Sequence, residues 1–245
     1  MKSISIAAPV YNESLNIKNC ICNWTSVLDE LNIEDYEIIL CDDKSTDNSV
    51  DIIEECIAQN EKIKLIEHHE NKGAAKAVIT AGDHATKDRI LFVDSDGQFP
   101  RNSIQSIIQA SNSSPMAAIF GARQTKEDSL LTQLGTKLTT SLFNLIYGKK
   151  LKDISCILKI YPKEIYSCLK LESTGLNVST EMSCRTLEHG VPIVEQNVEH
   201  RKREFGTSSA AGYRFIKHGF KRILILKYFL YRRFMVATGI LSPKK

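Results

Sequence analysis

Two aspartates, Asp94 and Asp96, stand two residues apart where an apolar run, Ile90-Leu91-Phe92-Val93, comes to an end. Gly97 and Gln98 follow. The run reads as a short buried strand, so the two carboxylates emerge together at its exit. Carboxylates are costly to bury without a partner, and a pair at such a place calls for a cation. A hard divalent ion holding a diphosphate would satisfy both acids and create a reaction centre. Two further acidic clusters, Asn12-Glu13 and Asp42-Asp43, also follow apolar runs.

These clusters need elements to position them, and the first 120 residues alternate regularly. Strands are predicted over 3–8, 37–41, 63–67, 89–93 and 117–120. Helices are predicted over 14–31, 47–59, 74–85 and 101–111, with Ser45, Thr46 and Asp47 offering caps to the second. Strands separated by helices imply an α/β fold with right-handed crossovers and a mostly parallel sheet. Ligands of such sheets bind beyond the carboxyl ends of the strands, where all three acidic clusters lie. Beyond residue 121 the alternation loosens. Helices are expected over 129–147 and 178–189, strands over 154–161 and 191–198, a basic loop over 200–209, and a basic, aromatic helix or helix pair over 211–236.

The chain has 245 residues, 42% of them hydrophobic and 25% charged, enough for one large or two small domains with a real core. Seven scattered cysteines without CxxC spacing argue against zinc and for reduced thiols. The N-terminus enters a strand pattern directly, so no secretory signal is expected. The net charge of +3 is unevenly divided: residues 201–245 hold 12 Lys/Arg against one acid, Glu204. That tail is expected to meet something anionic. No stretch reaches the ~18 uncharged apolar residues of a spanning helix. Its alternating basic and aliphatic residues instead fit a helix lying on an anionic membrane surface, and disfavour nucleic acid.

Taken in order, Pro9-Val10-Tyr11-Asn12-Glu13, Asp42-Asp43-Lys44-Ser45-Thr46-Asp47, Asn71-Lys72-Gly73 and Asp94-Ser95-Asp96-Gly97-Gln98 resemble the motifs of family 2 inverting glycosyltransferases of GT-A fold. Asp153-Ile154-Ser155-Cys156, Glu181 and Arg203-Glu204-Phe205-Gly206-Thr207-Ser208 extend the likeness toward dolichol-phosphate mannosyltransferases and bacterial polyprenyl-phosphate glycosyltransferases. The resemblance implies a GT-A domain over 1–210 and a membrane-peripheral tail over 211–245. It assigns Pro9, Tyr11 and Glu13 to the base and ribose of a GDP- or UDP-sugar, with Asp43 and its neighbour Asp42 accepting from the base. The competing reading of the two aspartates is turn and capping chemistry. Lys72 and Gly73 open a helix whose N–H groups could face the donor phosphates. Asp94, Ser95 and Asp96 belong to the donor site, and Asp94, Asp96 and Gln98 are the expected ligands of Mg2+ or Mn2+. Two departures stand out: Lys44 replaces a usual Gly, and Ile157-Leu158-Lys159 replaces Gly-Phe-Arg or Gly-Phe-Lys.

The acceptor decides what else is needed. A lipid phosphate is already anionic and requires cations to hold it; Arg203 with Ser208, and with Arg123, Arg201 and Lys202 in support, are the candidates. A sugar hydroxyl requires a carboxylate base, for which Asp153 leads and Glu181 follows. The expected activity is transfer to a polyprenyl phosphate on the cytoplasmic membrane face, with room for a membrane-spanning partner subunit. The rivals are transfer to a glycan hydroxyl in surface polysaccharide assembly, nucleotidyl transfer, and a non-catalytic binding module.

Overall fold

The computed structural model describes residues 3–124, 130–172, 178–203, 205 and 227–239. Its centre is a seven-stranded sheet, and its first four strands rise in the predicted βα alternation. β1 (Ser3–Val10), β2 (Asp35–Asp42), β3 (Ile63–Glu67) and β4 (Arg89–Phe92) are followed by α1 (Ile17–Glu30), α2 (Ser49–Gln59), α3 (Ala74–Asp83) and α4 (Arg101–Ser113). β1 pairs in parallel with β2 and β4, and β2 with β3. Buried Ile, Leu, Val and Phe line these strands, as expected of a parallel sheet covered on both faces.

The second half adds β5 (Ala118–Arg123), α5 (Leu130–Tyr147), β6 (Lys159–Pro162), α6 (Lys163–Leu169), α7 (Val178–Glu188) and β7 (Ile193–Val198). The strand order is β3-β2-β1-β4-β6-β5-β7. β6 runs antiparallel between β4 and β5, and β7 pairs in parallel with β5. β4 and β5 therefore end at the same edge, and the segment leading into β6 starts there. The fold is thus α/β with a mostly parallel sheet, as the sequence implied.

Local differences from the sequence reading have physical causes. β6 begins at Lys159 rather than Ile154, because the Ile154 and Cys156 carbonyls bond to Ser179, Ser183 and Lys159 side chains. α6 has no counterpart in the sequence reading: it is a two-turn helix launched directly from the strand by Pro162 (φ −55°). The basic loop over 200–209 is described only at its start and at Phe205, and most of the expected 211–236 helix lies outside the described residues. Residues 227–237 are helical. Phe229 is buried there with Phe143 of α5, Ile154 and Cys184 of α7. Arg232 forms a buried ion pair with Glu188 at the end of α7. Burial disfavours the charged guanidinium, and the Glu188 carboxylate outweighs it, so the Arg232 pKa is raised. Among the described residues, no helix is long and apolar enough to cross a membrane.

Candidate active site at the carboxyl edge of the sheet

The loops after β1 and β2 are laced together by the residues the sequence singled out. Asn12 adopts φ +56°, a left-handed conformation Asn tolerates. Its side-chain Oδ1 accepts from Thr46 N at 2.8 Å, while its backbone N–H donates to Ser45 Oγ at 2.9 Å. Glu13 N donates to Ser49 Oγ and Ser14 N to Asp47. Asp47 also accepts from Ser49 N at 3.0 Å and so caps α2. Lys44 sits at φ +68°, the region open to glycine, which explains why a Gly is usual there and why Lys is a strained replacement. Ile157 has no such φ, so its replacement of Gly carries no backbone strain.

Asp42 and Asp43 are both buried, and capping accounts for their contacts. Asp42 accepts from Ser45 N at 2.9 Å and from the Ser45 hydroxyl. Asp43 receives Lys72 N at 2.8 Å and Gly73 N at 2.7 Å, closing the start of α3. The expectation that these two N–H groups face donor phosphates is therefore not met: a carboxylate already fills the helix N-terminus. His68, just past the end of β3, completes the cluster. Its Nδ1 lies 2.8 Å from Asp43 Oδ1 and its Nε2 lies 3.0 Å from Thr80 Oγ1. Its only sequence signal was its place at a third strand exit.

At the centre of the edge, Ser95 donates to the Pro9 carbonyl at 2.6 Å, tying the loop after β4 to β1. The Cys20 thiol reaches the Ser95 carbonyl, and burial pushes its pKa up to about 12, so it is an inert floor. Among the described residues, Asp96 accepts from Gln98 N, at 3.1 Å. Asp94 accepts no hydrogen bond and has no ion-pair partner among the described residues. Burial first, and Asp96 second, push its pKa up to about 7, with Arg123 and Arg203 pulling the other way. Burial also raises Asp96. Gln98 donates its amide N–H to the Arg201 carbonyl at 2.9 Å, and its amide oxygen accepts no hydrogen bond among the described residues.

Two arginines flank this pair. On the β1 side Arg203 forms an ion pair with Glu13 and donates Nε to the Phe205 carbonyl at 2.8 Å. Burial raises the Glu13 pKa, against Asn16 and Arg203, which lower it. On the β5 side Arg123 grips the buried Asp153 through Nε at 2.7 Å and a terminal nitrogen at 3.3 Å. Arg201 turns away to Glu199 on the surface. The expected cluster of three arginines is thus divided between two sides and the exterior, because each follows its own carboxylate; Ser208 lies outside the described residues. Glu181 is fully buried, accepting Glu172 N at 2.9 Å beside Arg185, and is no candidate for an accessible base. Tyr11 is exposed at the mouth and Pro9 half-buried behind it.

The donor set fits a hard cation. Two carboxylates with unspent lone pairs and a free amide oxygen are an all-oxygen set. No group of three or more His, Cys, Asp or Glu able to hold a metal occurs among the described residues. An ion held here would draw its other ligands from phosphate and water, the usual condition of Mg2+.

A family model described as Glycosyl transferase family 2 matches residues 5–170. Among solved structures, glucosyl-3-phosphoglycerate synthase from Mycobacterium tuberculosis, in complex with Mn2+, uridine-diphosphate and phosphoglyceric acid, matches with TM-score 0.70 and 16% identity. That match covers 95% of this chain and 78% of that one. Its complex with Mn2+ and uridine-diphosphate-glucose matches with TM-score 0.69 and 15% identity, over 95% and 79%. Its complex with Mg2+ and uridine-diphosphate gives 0.68 and 15%, over 95% and 79%. At this identity the likeness establishes the fold.

Proposed function

Because the chain belongs to glycosyl transferase family 2, we propose that it is an inverting glycosyltransferase moving a sugar from a GDP- or UDP-sugar to a polyprenyl phosphate. The observation that carries the reading is the Asp94–Asp96 pair: two half-buried carboxylates at a strand exit with no cation paired to either among the described residues. Asp94 and Asp96, with the Gln98 amide oxygen, would hold Mg2+ or Mn2+. Bound there, the ion neutralises charge developing on the departing nucleoside diphosphate. The complexes of the mycobacterial synthase with Mn2+ or Mg2+ and uridine-diphosphate support the same donor chemistry.

The sheet order gives the site a direction. Pro9, Tyr11 and Glu13 lie toward β2, and we assign them to the ribose and base, over a floor built by Asp42, Asp43 and His68. Arg123 and Asp153 lie on the other side of Asp94 and border the acceptor. An acceptor phosphate oxygen attacks the anomeric carbon as the bond to the diphosphate oxygen breaks, which inverts the configuration. A phosphate needs no base, and Asp153, held by Arg123, is not free to act as one in this arrangement. Arg123 and Arg203 supply the positive charge that an incoming phosphate needs.

A lipid acceptor is supported by exposed apolar residues on two neighbouring helices. Leu134, Leu138 and Leu145 are exposed on α5, on the side opposite its buried Phe143. Leu230, Tyr231 and Phe234 are exposed on the helix over 227–237, opposite its buried Phe229. Phe143 and Phe229 meet at 5.1 Å between ring centroids, so the two helices are neighbours. With Lys137, Lys227 and Arg233 also exposed on these helices, such amphipathic elements suit the cytoplasmic face of an anionic membrane. A glycan hydroxyl is the second reading; it would require Asp153 to leave Arg123 and serve as base.

The test is to incubate the protein with Mn2+, GDP- and UDP-sugars and a short polyprenyl phosphate. Sugar in the organic phase and nucleoside diphosphate release are measured together. Extractable sugar with one donor is the expected result. Diphosphate release without lipid product would turn the search to a hydroxyl acceptor.

A further inference from the structure

Lys159 opens β6 in the middle of the sheet, opposite Phe92 of β4 and Phe120 of β5. Its side chain is fully buried. No carboxylate lies within ion-pairing reach among the described residues. The ammonium instead donates to the Cys156 carbonyl and the Ser179 hydroxyl, with the Ile154 carbonyl at 3.5 Å. It stands 4.7 Å from the centroid of the Phe120 ring. A buried cation without an anion is expensive, and an apolar side chain of similar volume would serve stability better. Burial accordingly lowers its pKa to about 8.

The carbonyls it touches do not need it for satisfaction. Ser179 Oγ reaches Cys156 O and also Ile154 O at 3.2 Å, and Ser183 Oγ donates to Ile154 O at 3.1 Å. What the ammonium adds is direction. It draws two carbonyls of one short loop into the interior and so fixes the backbone that begins at Asp153. Asp153 then faces Arg123, with Ser155 N on its Oδ1 at 3.1 Å. Arg123 is in turn one of the two cations whose field reaches Asp94.

We infer that Lys159 is a positioning residue for the acceptor side, acting through the 153–156 loop on the Arg123–Asp153 pair. The inference rests on the reading that this pair borders the acceptor. Lys159 touches neither substrate, and its charge is retained for geometry at a cost in stability.

The experiment compares Lys159→Met and Lys159→Arg with the unaltered chain. Lys159→Met is expected to melt no lower and to bind Mn2+–uridine-diphosphate equally well. Its kcat/KM for the acceptor should fall by about ten- to a hundredfold, the scale of a small misplacement near reacting groups. Lys159→Arg, which keeps charge and donors, should recover part of that loss. Equal losses in stability, donor binding and acceptor use would overturn the inference, as would an unchanged acceptor kcat/KM. If Lys159→Met does not fold, Ser179→Ala removes the hydroxyl partner and should give a smaller loss confined to the acceptor. A readout independent of any acceptor is the Asp153 carboxyl titration followed by 13C NMR. It should move upward in Lys159→Met, because a neighbouring cation is gone and the hold of Arg123 is loosened. That shift without lipid transfer would keep Lys159's role and sink the acceptor assignment; no shift would sink Lys159's role.

Discussion

The acids at and after the end of β2 are held mainly by backbone N–H groups and hydroxyls: Asp42 by Ser45, Asp43 by Lys72 and Gly73, Asp47 by Ser14 and Ser49. The acids of the second half are held by arginines: Asp153 by Arg123, Glu181 by Arg185, Glu188 by Arg232. The two devices leave different fields behind. A carboxylate bound by neutral donors keeps its charge, so the mouth formed by the β2 exit remains negative. A carboxylate bound by guanidinium is cancelled and locked in place. Asp94 and Asp96 lie at the border, with one backbone N–H between them. One half of the sheet edge thus seeks a cation, while the other supplies its own.

Asp96→Asn attacks the border itself and should have the largest effect. Loss of turnover by about a thousandfold is expected, the scale of removing a group that stabilises transition-state charge. The variant should stay folded, melting at least as high without metal because a like charge beside Asp94 is gone; Mn2+ with uridine-diphosphate should no longer raise its melting temperature. Full activity would end the site assignment.

Arg232→Ala tests the arginine-held half. Leaving Glu188 buried and unpaired should cost about 3 kcal/mol of stability in urea unfolding. Mn2+–uridine-diphosphate binding should survive, since the acids after β1 and β2 are held independently. An equal loss of nucleotide binding would erase the distinction between the halves.

Glu37, at the opposite edge of the sheet, sharpens the comparison. It is a first-half acid with both kinds of partner: Lys64, and the hydroxyls and N–H of Ser5 and Thr86. Burial works to raise its pKa, and these partners hold it down to about 2. A pKa lowered on folding contributes stability above the unfolded value of about 4.5, lost as pH falls toward 2. The urea midpoint should drop across that window, and Glu37→Gln should drop less steeply.

The smallest effect separates two neighbouring arginines. Arg203→Ala leaves Glu13 without its partner beside Asp96 and should lower kcat/KM about tenfold or more. Arg201→Ala removes only an exposed pair with Glu199, worth at most about 1 kcal/mol, and steady-state kinetics should hardly register it. Comparable losses would return Arg201 to the site.

How much of this was legible depends on the range of the interactions. The alternation of the first 120 residues and the acidic strand exits are local patterns. β3 was read at its observed ends, Ile63–Glu67, because strand and helix periods differ plainly there. Beyond residue 121 the same reasoning drew β6 five residues too early at its start and passed over α6. In that region side chains from α7, rather than a neighbouring strand, take the loop's carbonyls. Arg123, Arg201 and Arg203 carry the same charge in sequence, and nothing in their spacing tells which carboxylate each meets.

By itself, then, the sequence determined the α/β alternation, the edge of the sheet where chemistry must lie, and the acids that face it. Hydrophobic period and strand exits are written within a few consecutive residues. Only the tertiary structure decided which acids are spent on caps and which stay open to a cation. It also decided that His68 joins the floor under Asp43, and that Lys159 is buried behind Asp153. Those outcomes depend on partners 20 to 190 positions away along the chain, brought together by the strand order and by the reversal of β6.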